Sequence, residues 1–123
     1  MSQPLALVFY ERLMPGSQLL NRLQDLSYRV LAVNNAALLA ATAKREMPLL
    51  LLADFKARAD VRTAIEKIKA DPATAHLPVI AFAPDDEPEL LDIAKLAGAN
   101  FAIGESALGG HLPQLLDQAL HLE

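Results

Sequence analysis

The 123-residue sequence has no cysteine and no tryptophan, and only 5% of its residues are aromatic. Without cysteine, neither a disulfide framework nor a thiolate metal site can form. With so few aromatic side chains, a folded core must be filled by leucine, alanine, valine and isoleucine. The hydrophobic fraction of 53% is large enough for such a core and is not typical of a disordered chain.

Long apolar runs and clustered positive charge are also missing. No apolar run approaches the roughly 18 residues of a membrane span, and the amino terminus lacks the basic region of a signal peptide. Eleven basic and fifteen acidic residues give a net charge of −4, whereas a nucleic-acid-binding surface needs clustered Lys and Arg. We therefore expect a cytoplasmic protein with no membrane or nucleic-acid partner, and the length predicts a single domain over residues 1–123.

The chain alternates five times between short apolar runs and segments with helical spacing. The runs have the length of strands and cover residues 5–10, 29–33, 49–53, 79–83 and 101–103. The third and fourth are almost wholly apolar, as is typical of strands that are covered on both faces. This alternation predicts an α/β fold with one parallel sheet and helices on both of its faces.

Capping residues indicate where the helices begin and end. Candidate N-caps of the first three helices are Ser17, Asn34 or Asn35, and Asp60. Pro88 suits the first turn of a fourth helix, and Gly98 suits its end. A fifth helix is predicted from about Leu112 to Leu122, after a loop that contains two consecutive glycines.

Asp54 is the most informative residue, because it ends the buried apolar run of the third strand. Open α/β sheets place their chemistry at the carboxyl ends of their strands. Glu11 follows the first strand and is the other acid that could reach this edge, where the two carboxylates could form a weak Mg²⁺ site. The structural alternatives are that Asp54 caps its own loop and that Glu11 forms a solvated pair with Arg12. The three histidines follow no metal-ligand spacing.

Three segments of the chain resemble the receiver domains of bacterial two-component response regulators. Residues 48–54 resemble the third strand, which ends in the phosphorylated aspartate. Residues 67–80 resemble the third helix, its loop and the fourth strand, and residues 94–100 resemble the end of the fourth helix. The resemblance covers nearly the whole chain. It implies a flavodoxin-like (βα)5 fold, a doubly wound parallel five-stranded sheet with strand order 2-1-3-4-5.

The chain departs from the receiver pattern around Asp54. Receivers hold magnesium with an acidic pair after the first strand, where this chain offers only Glu11. They carry a hydroxyl residue at the end of the fourth strand, a Lys at the end of the fifth and an aromatic switch residue within the fifth, where this chain has Ala83, Glu105 and Ala102. Phosphoryl transfer depends on neutralising charge, so a like charge near Asp54 opposes it. We expect Asp54, Glu11 and Glu105 to share a shallow acidic cleft.

These departures predict a degenerate receiver, or pseudo-receiver, which is a non-enzymatic protein–protein interaction module with no catalytic residue and no cofactor. The resemblance implies other signalling proteins as partners. It also implies possible homodimers, formed through the fourth helix, fifth strand and fifth helix or through the first and fifth helices. The alternative is an atypical phosphoacceptor of a two-component phosphorelay, with Mg²⁺ held by Asp54 and Glu11. A small-ligand-binding flavodoxin-like domain is a third hypothesis, but no glycine-rich phosphate loop supports it.

Overall fold

The computed structural model describes residues 4–11, 13–56 and 60–120, with the backbone alone for residues 13–17. Within these residues, five strands alternate with five α-helices. The strands are β1 (Leu5–Phe9), β2 (Arg29–Val33), β3 (Leu50–Asp54), β4 (Val79–Ala83) and β5 (Phe101–Gly104). The helices are α1 (Leu13–Asp25), α2 (Leu39–Glu46), α3 (Val61–Ala70), α4 (Pro88–Ala97) and α5 (Glu105–Leu120), and a 3-10 turn (Ala36–Leu38) precedes α2. No helix in this part of the chain is long and apolar enough to cross a membrane.

The strands pair in parallel in one sheet with the order β2-β1-β3-β4-β5. This order confirms the predicted flavodoxin-like topology. Buried side chains of α2, α3 and α4 pack on one face of the sheet, and those of α1 and α5 pack on the other. As a result, every residue of β3 and β4 is buried, which explains why these two strands are almost continuously apolar.

Most of the predicted helix ends are confirmed. Asn35 and Asp60 each accept a hydrogen bond from a backbone N–H of the turn that follows them, as N-caps do. Pro88 lies in the first turn of α4, and Gly98 ends that helix with φ of 114°. This left-handed conformation favours glycine because a side chain there would be strained.

The start of α1 was predicted wrongly. The helix begins at Leu13, so Ser17 lies inside it rather than at its N-cap. Pro15 occupies the first turn, where the missing N–H of proline has no intrahelical partner to lose. The ends of β1 and β3 also differ from the predicted ones by one residue.

The last helix has two segments, and only the second was predicted. The first begins at Glu105, directly after β5, and the second begins near Leu112, as predicted. The consecutive glycines 109 and 110 indicated a loop, but Leu108 and Leu112 on either side of them are buried against the sheet, and packing outweighs low helix propensity. The backbone is non-helical at His111, with φ of −129° and ψ of 24°. The predicted end at Leu122 lies outside the described residues.

Lys69 joins α3 to the loops that flank β4 and β5. Its Nζ donates hydrogen bonds to the carbonyl oxygens of Leu77 at 2.7 Å and Ala75 at 3.3 Å, and to Asn100 Oδ1 at 2.9 Å. Asn100 Oδ1 also accepts from the Val79 N–H at 2.9 Å. These acceptors are neutral, so partial burial is the main influence on the ammonium group and lowers the pKa of Lys69.

Replacing Asn100 by aspartate should stabilise the protein. The carboxylate would keep the acceptor for Lys69 and Val79 and would add a charge opposite a partly buried ammonium group. We expect the free energy of unfolding at neutral pH to rise by about 0.5–1 kcal/mol, measured by urea denaturation. Asn21→Asp, at an exposed position of α1, is the matched control and should change stability little. A loss of stability in Asn100→Asp would show that the amide NH₂ matters more than the added charge.

Candidate functional site at the carboxyl edge of the sheet

Asp54 is the last residue of β3 and is 0% exposed. It pairs across the sheet with Phe82 of β4. Its Oδ1 accepts a hydrogen bond from the Lys56 N–H at 2.9 Å, two residues further along the chain. This contact satisfies part of a buried carboxylate and stabilises the turn that leaves the strand. The structure thus places a buried acid at the carboxyl end of the central strand.

The residue beside Asp54 on the β1 side is Tyr10 rather than an acid. Phe9 pairs with Ala53, so continuing this register by one residue brings Tyr10 level with Asp54 and leaves Glu11 one position further on. Glu11 is exposed and lines a groove of about 230 Å³ at the ends of β1 and β2. Glu11 therefore lies one residue beyond the position of β1 that is level with Asp54.

The two positions that the resemblance aligns with the switch residues of receivers hold small side chains. Ala83 is the last residue of β4, is fully buried and pairs with Gly104. Ala102 is half-buried within β5 and pairs with Ala81. Ala83 has no hydroxyl to bond a phosphoryl oxygen, and Ala102 has no ring that could move between buried and exposed positions.

Glu105 is the first residue of α5 and is half-buried. It lines a cavity of about 90 Å³ between α1 and α5, together with Arg22. A carboxylate in the first turn of a helix is stabilised by the helix dipole. Glu11 and Glu105 line different cavities, so the predicted cleft shared by both acids and Asp54 remains a prediction.

The sequence pattern did not reveal two contacts that join neighbouring loops at this edge. Lys56 Nζ lies 2.8 Å from Glu87 Oε1, which links the loop after β3 to the start of α4. Asp85, in the loop after β4, accepts hydrogen bonds from the Ser106 N–H at 3.2 Å and from the Ser106 hydroxyl. These acids belong to the acidic run 85–89 at the start of α4, where acids favour the positive end of the helix dipole. Which neighbouring loop each acid would meet depends on the strand order.

The hydrogen bonds from Ser106 change the acidity of Asp85. The pKa of Asp85 is lowered, first by the bond from the Ser106 hydroxyl and second by the bond from the Ser106 N–H. Both favour the carboxylate over the carboxylic acid. Asp85 therefore acts as an ionised cap at the start of α5, supplied by a different loop.

The described residues fit a magnesium ion poorly. Among them, no group of three or more His, Asp or Glu side chains is arranged to hold a metal ion. Magnesium needs well-placed oxygen ligands, and the residue level with Asp54 on the β1 side is a tyrosine. Arg12 and Arg58, which belong to the loops after β1 and β3 in sequence, lie outside the described residues.

The sequence matches no family model and no curated protein. Solved structures of receiver domains do match the fold. A receiver domain of a sensor histidine kinase from Pseudomonas aeruginosa, with magnesium in its active-site cleft, is 19% identical, with 96% of this chain and 98% of that chain covered and a TM-score of 0.86. A putative response regulator from Chloroflexus aurantiacus is 17% identical, with 96% and 98% covered and a TM-score of 0.88. A chemotaxis response regulator of Vibrio cholerae is 15% identical, with 96% and 99% covered and a TM-score of 0.82.

These matches cover nearly the whole chain, at identities of 15–19%. Likeness at this level shows the fold, and the fold of this chain is that of receiver domains. The chemistry of this chain depends on the residues around Asp54.

Acid should remove the stabilising contribution of Asp85. Because its pKa is lowered in the folded protein, the contribution is present above the unfolded value of about 3.9 and is lost as pH falls through the folded value. We expect Asp85→Asn to lower the thermal midpoint at neutral pH and to differ little from the parent protein near about pH 2. Asp86→Asn, which changes the neighbouring exposed acid, is the control. An Asp85→Asn deficit that is the same at both pH values would contradict this assignment.

Substitution of Glu105 should reveal which electrostatic effect controls this position. Repulsion from Asp54 would make Glu105→Gln and Glu105→Lys stabilising, whereas the helix dipole and the nearby Arg22 would make both destabilising. Because Glu105 begins α5 and lines the α1–α5 cavity, we expect stability to fall from Glu to Gln to Lys. Each step should lower the free energy of unfolding by about 0.3–1 kcal/mol, measured by thermal and urea melts at low salt. The opposite order would place the side chain under the influence of Asp54.

Proposed function

We propose that this chain is a degenerate receiver domain that acts as a protein–protein interaction module in bacterial signal transduction, in the cytoplasm and without conventional phosphorylation. The observation that carries the proposal is the pair of residues that end β4 and begin α5. Ala83 and Glu105 stand where the resemblance to receivers implies a hydroxyl and an ammonium group. On this proposal the chain is not an enzyme.

Charge near Asp54 supports the proposal. A phosphoryl group would add negative charge at an edge that already contains Asp54, Glu105 and the acids of the β4–α4 loop. The cationic side chain that the structure describes in the β3–α3 loop is Lys56, and its ammonium group is 2.8 Å from Glu87 Oε1. Moving the Lys56 ammonium group to a phosphoryl group would break its ion pair with Glu87. Lys56 could therefore neutralise a phosphoryl group only by losing that contact.

An exposed apolar surface on α4 is consistent with a docking role. Leu96 is 86% exposed and is the most exposed of the large hydrophobic residues described. Ile93, one turn earlier, is 36% exposed. The helix does not need these side chains for its own packing, because Ala94 and Ala97 bury its inner face. This surface supports contact with other signalling proteins or with a second copy through α4, β5 and α5, while the α1–α5 surface is the other candidate.

The second candidate function is an atypical phosphoacceptor. It is favoured by the position of Asp54 at the carboxyl end of the central strand, with Glu11 two positions beyond the end of β1. In that case Asp54 would accept the phosphoryl group, and magnesium would be held by Asp54 and Glu11.

Incubation with acetyl phosphate and magnesium should leave the intact mass of the protein unchanged. Phosphoryl transfer requires positioning and charge neutralisation, and the residues at positions 83 and 105 provide neither. A phosphorylatable receiver treated in the same way is the positive control. An added phosphoryl mass that disappears in Asp54→Asn would overturn the proposal and support the atypical phosphoacceptor.

A further inference from the structure

The loop between β4 and α4 is held from both sides by side chains of its neighbours. On one side, Lys56 from the loop after β3 pairs with Glu87 at 2.8 Å. On the other side, Ser106 at the start of α5 donates its N–H and its hydroxyl to Asp85. We call these four residues, Asp85, Ser106, Lys56 and Glu87, the loop clasp. It joins the loop after β3, the loop after β4 and the start of α5 at the carboxyl edge of the sheet.

Gly104 is part of the reason that the loop clasp can close. A Cβ atom at this position would run into the Asp85 carboxylate and would lie 3.2 Å from Asp85 Cγ. The backbone of Gly104 does not have the positive φ that demands glycine, so the close approach of Asp85 is what a side chain would disturb. A methyl group here could be accommodated only if the Asp85 side chain moved away from Ser106.

The clasped loop leads directly into α4. The Glu87 N–H donates to the Pro84 carbonyl at 3.0 Å, and the Leu90 N–H donates to the Glu87 carbonyl at 3.1 Å. Glu87 is also the residue that precedes the first turn of α4. Two residues of this short segment, Asp85 and Glu87, are therefore fixed to elements on opposite sides, and the start of α4 is fixed with them.

We infer that the loop clasp holds the start of α4, and with it the helix that carries Leu96, in one arrangement. The inference rests on the proposed function, because it describes how the position of the docking surface on α4 is maintained. Ala83 removes the hydroxyl that could connect this loop to a phosphoryl group at Asp54. The side chains of the clasp supply the connection between the loops instead.

Amide hydrogen exchange, measured by NMR on the whole chain, tests this inference. The reporters are the N–H groups of Ser106, which bonds Asp85 directly, and of Glu87 and Leu90, which do not touch Ser106. Ser106→Ala removes the hydroxyl contact, and Gly104→Ala displaces Asp85 without changing either bonding group. Gly109→Ala is the matched control, because nothing lies within 4 Å of a Cβ built there.

We expect Ser106→Ala and Gly104→Ala to speed exchange at Glu87 and Leu90 by about fivefold, the ratio expected for the loss of one hydrogen bond. Gly109→Ala should leave both rates unchanged. Lys56→Met should increase both rates, because it removes the ion pair with Glu87 on the other side of the loop. The amides of β3 report global unfolding. Glu87 and Leu90 should exchange faster than these amides in the parent protein and in each variant, so that their change in rate reports local opening.

Two results would overturn the inference. In the first, exchange speeds up at Ser106 alone, which would make Asp85 a local helix cap with no hold on α4. In the second, Gly104→Ala and Gly109→Ala behave alike. The intact mass after acetyl phosphate treatment is measured on the same samples, so a phosphorylated Asp54 would count against the proposed function separately from the exchange rates.

Discussion

Burial of β3 and β4 on both faces is the constraint on which the rest of this structure depends. It requires two runs of apolar side chains in the middle of the sheet, and it places helices on each side of them. It also carries Asp54 into a position that is 0% exposed, where a carboxylate must find hydrogen-bond donors. The turn to Lys56 supplies one of them and sets the path of the chain out of the central strand.

The parallel arrangement brings the loops after β1, β3 and β4 and the start of α5 to a single edge, and that edge is rich in acids. Proteins can stabilise such a collection of carboxylates with a metal ion, with basic side chains or with hydrogen-bond donors. In the described part of this chain, the β4–α4 loop uses the last two, since Glu87 pairs with Lys56 and Asp85 bonds Ser106. The carboxyl edge is thus stabilised by contacts between loops. We therefore interpret the carboxyl edge as a set of structural contacts that hold the start of α4.

On the proposed function, stability and docking are carried by different faces of α4. The inner face buries Ala94 and Ala97, whose small side chains let the helix lie close to the sheet, while Leu96 projects into solvent. Burial of Leu96 in a complex would remove apolar surface from water without any change in the core of the free protein. An interaction module needs this separation, because a contact surface can then change while the fold is retained.

The sequence by itself determined the fold class and the position of Asp54, because hydrophobic periodicity and capping residues act over short distances along the chain. The strand order followed from the resemblance to receivers. Asn35, Asp60 and Gly98 mark helix ends through hydrogen bonds within a few residues, and Pro88 marks one through its missing N–H. Tertiary structure decided that residues 105–110 form a helical segment before the kink at His111, because local propensity does not include the packing of Leu108 and Leu112 against the sheet. It also decided the partners of Asp85 and Glu87. Residues separated by 21 and 31 positions meet only when parallel strands bring their loops to the same edge, and no local pattern encodes that meeting.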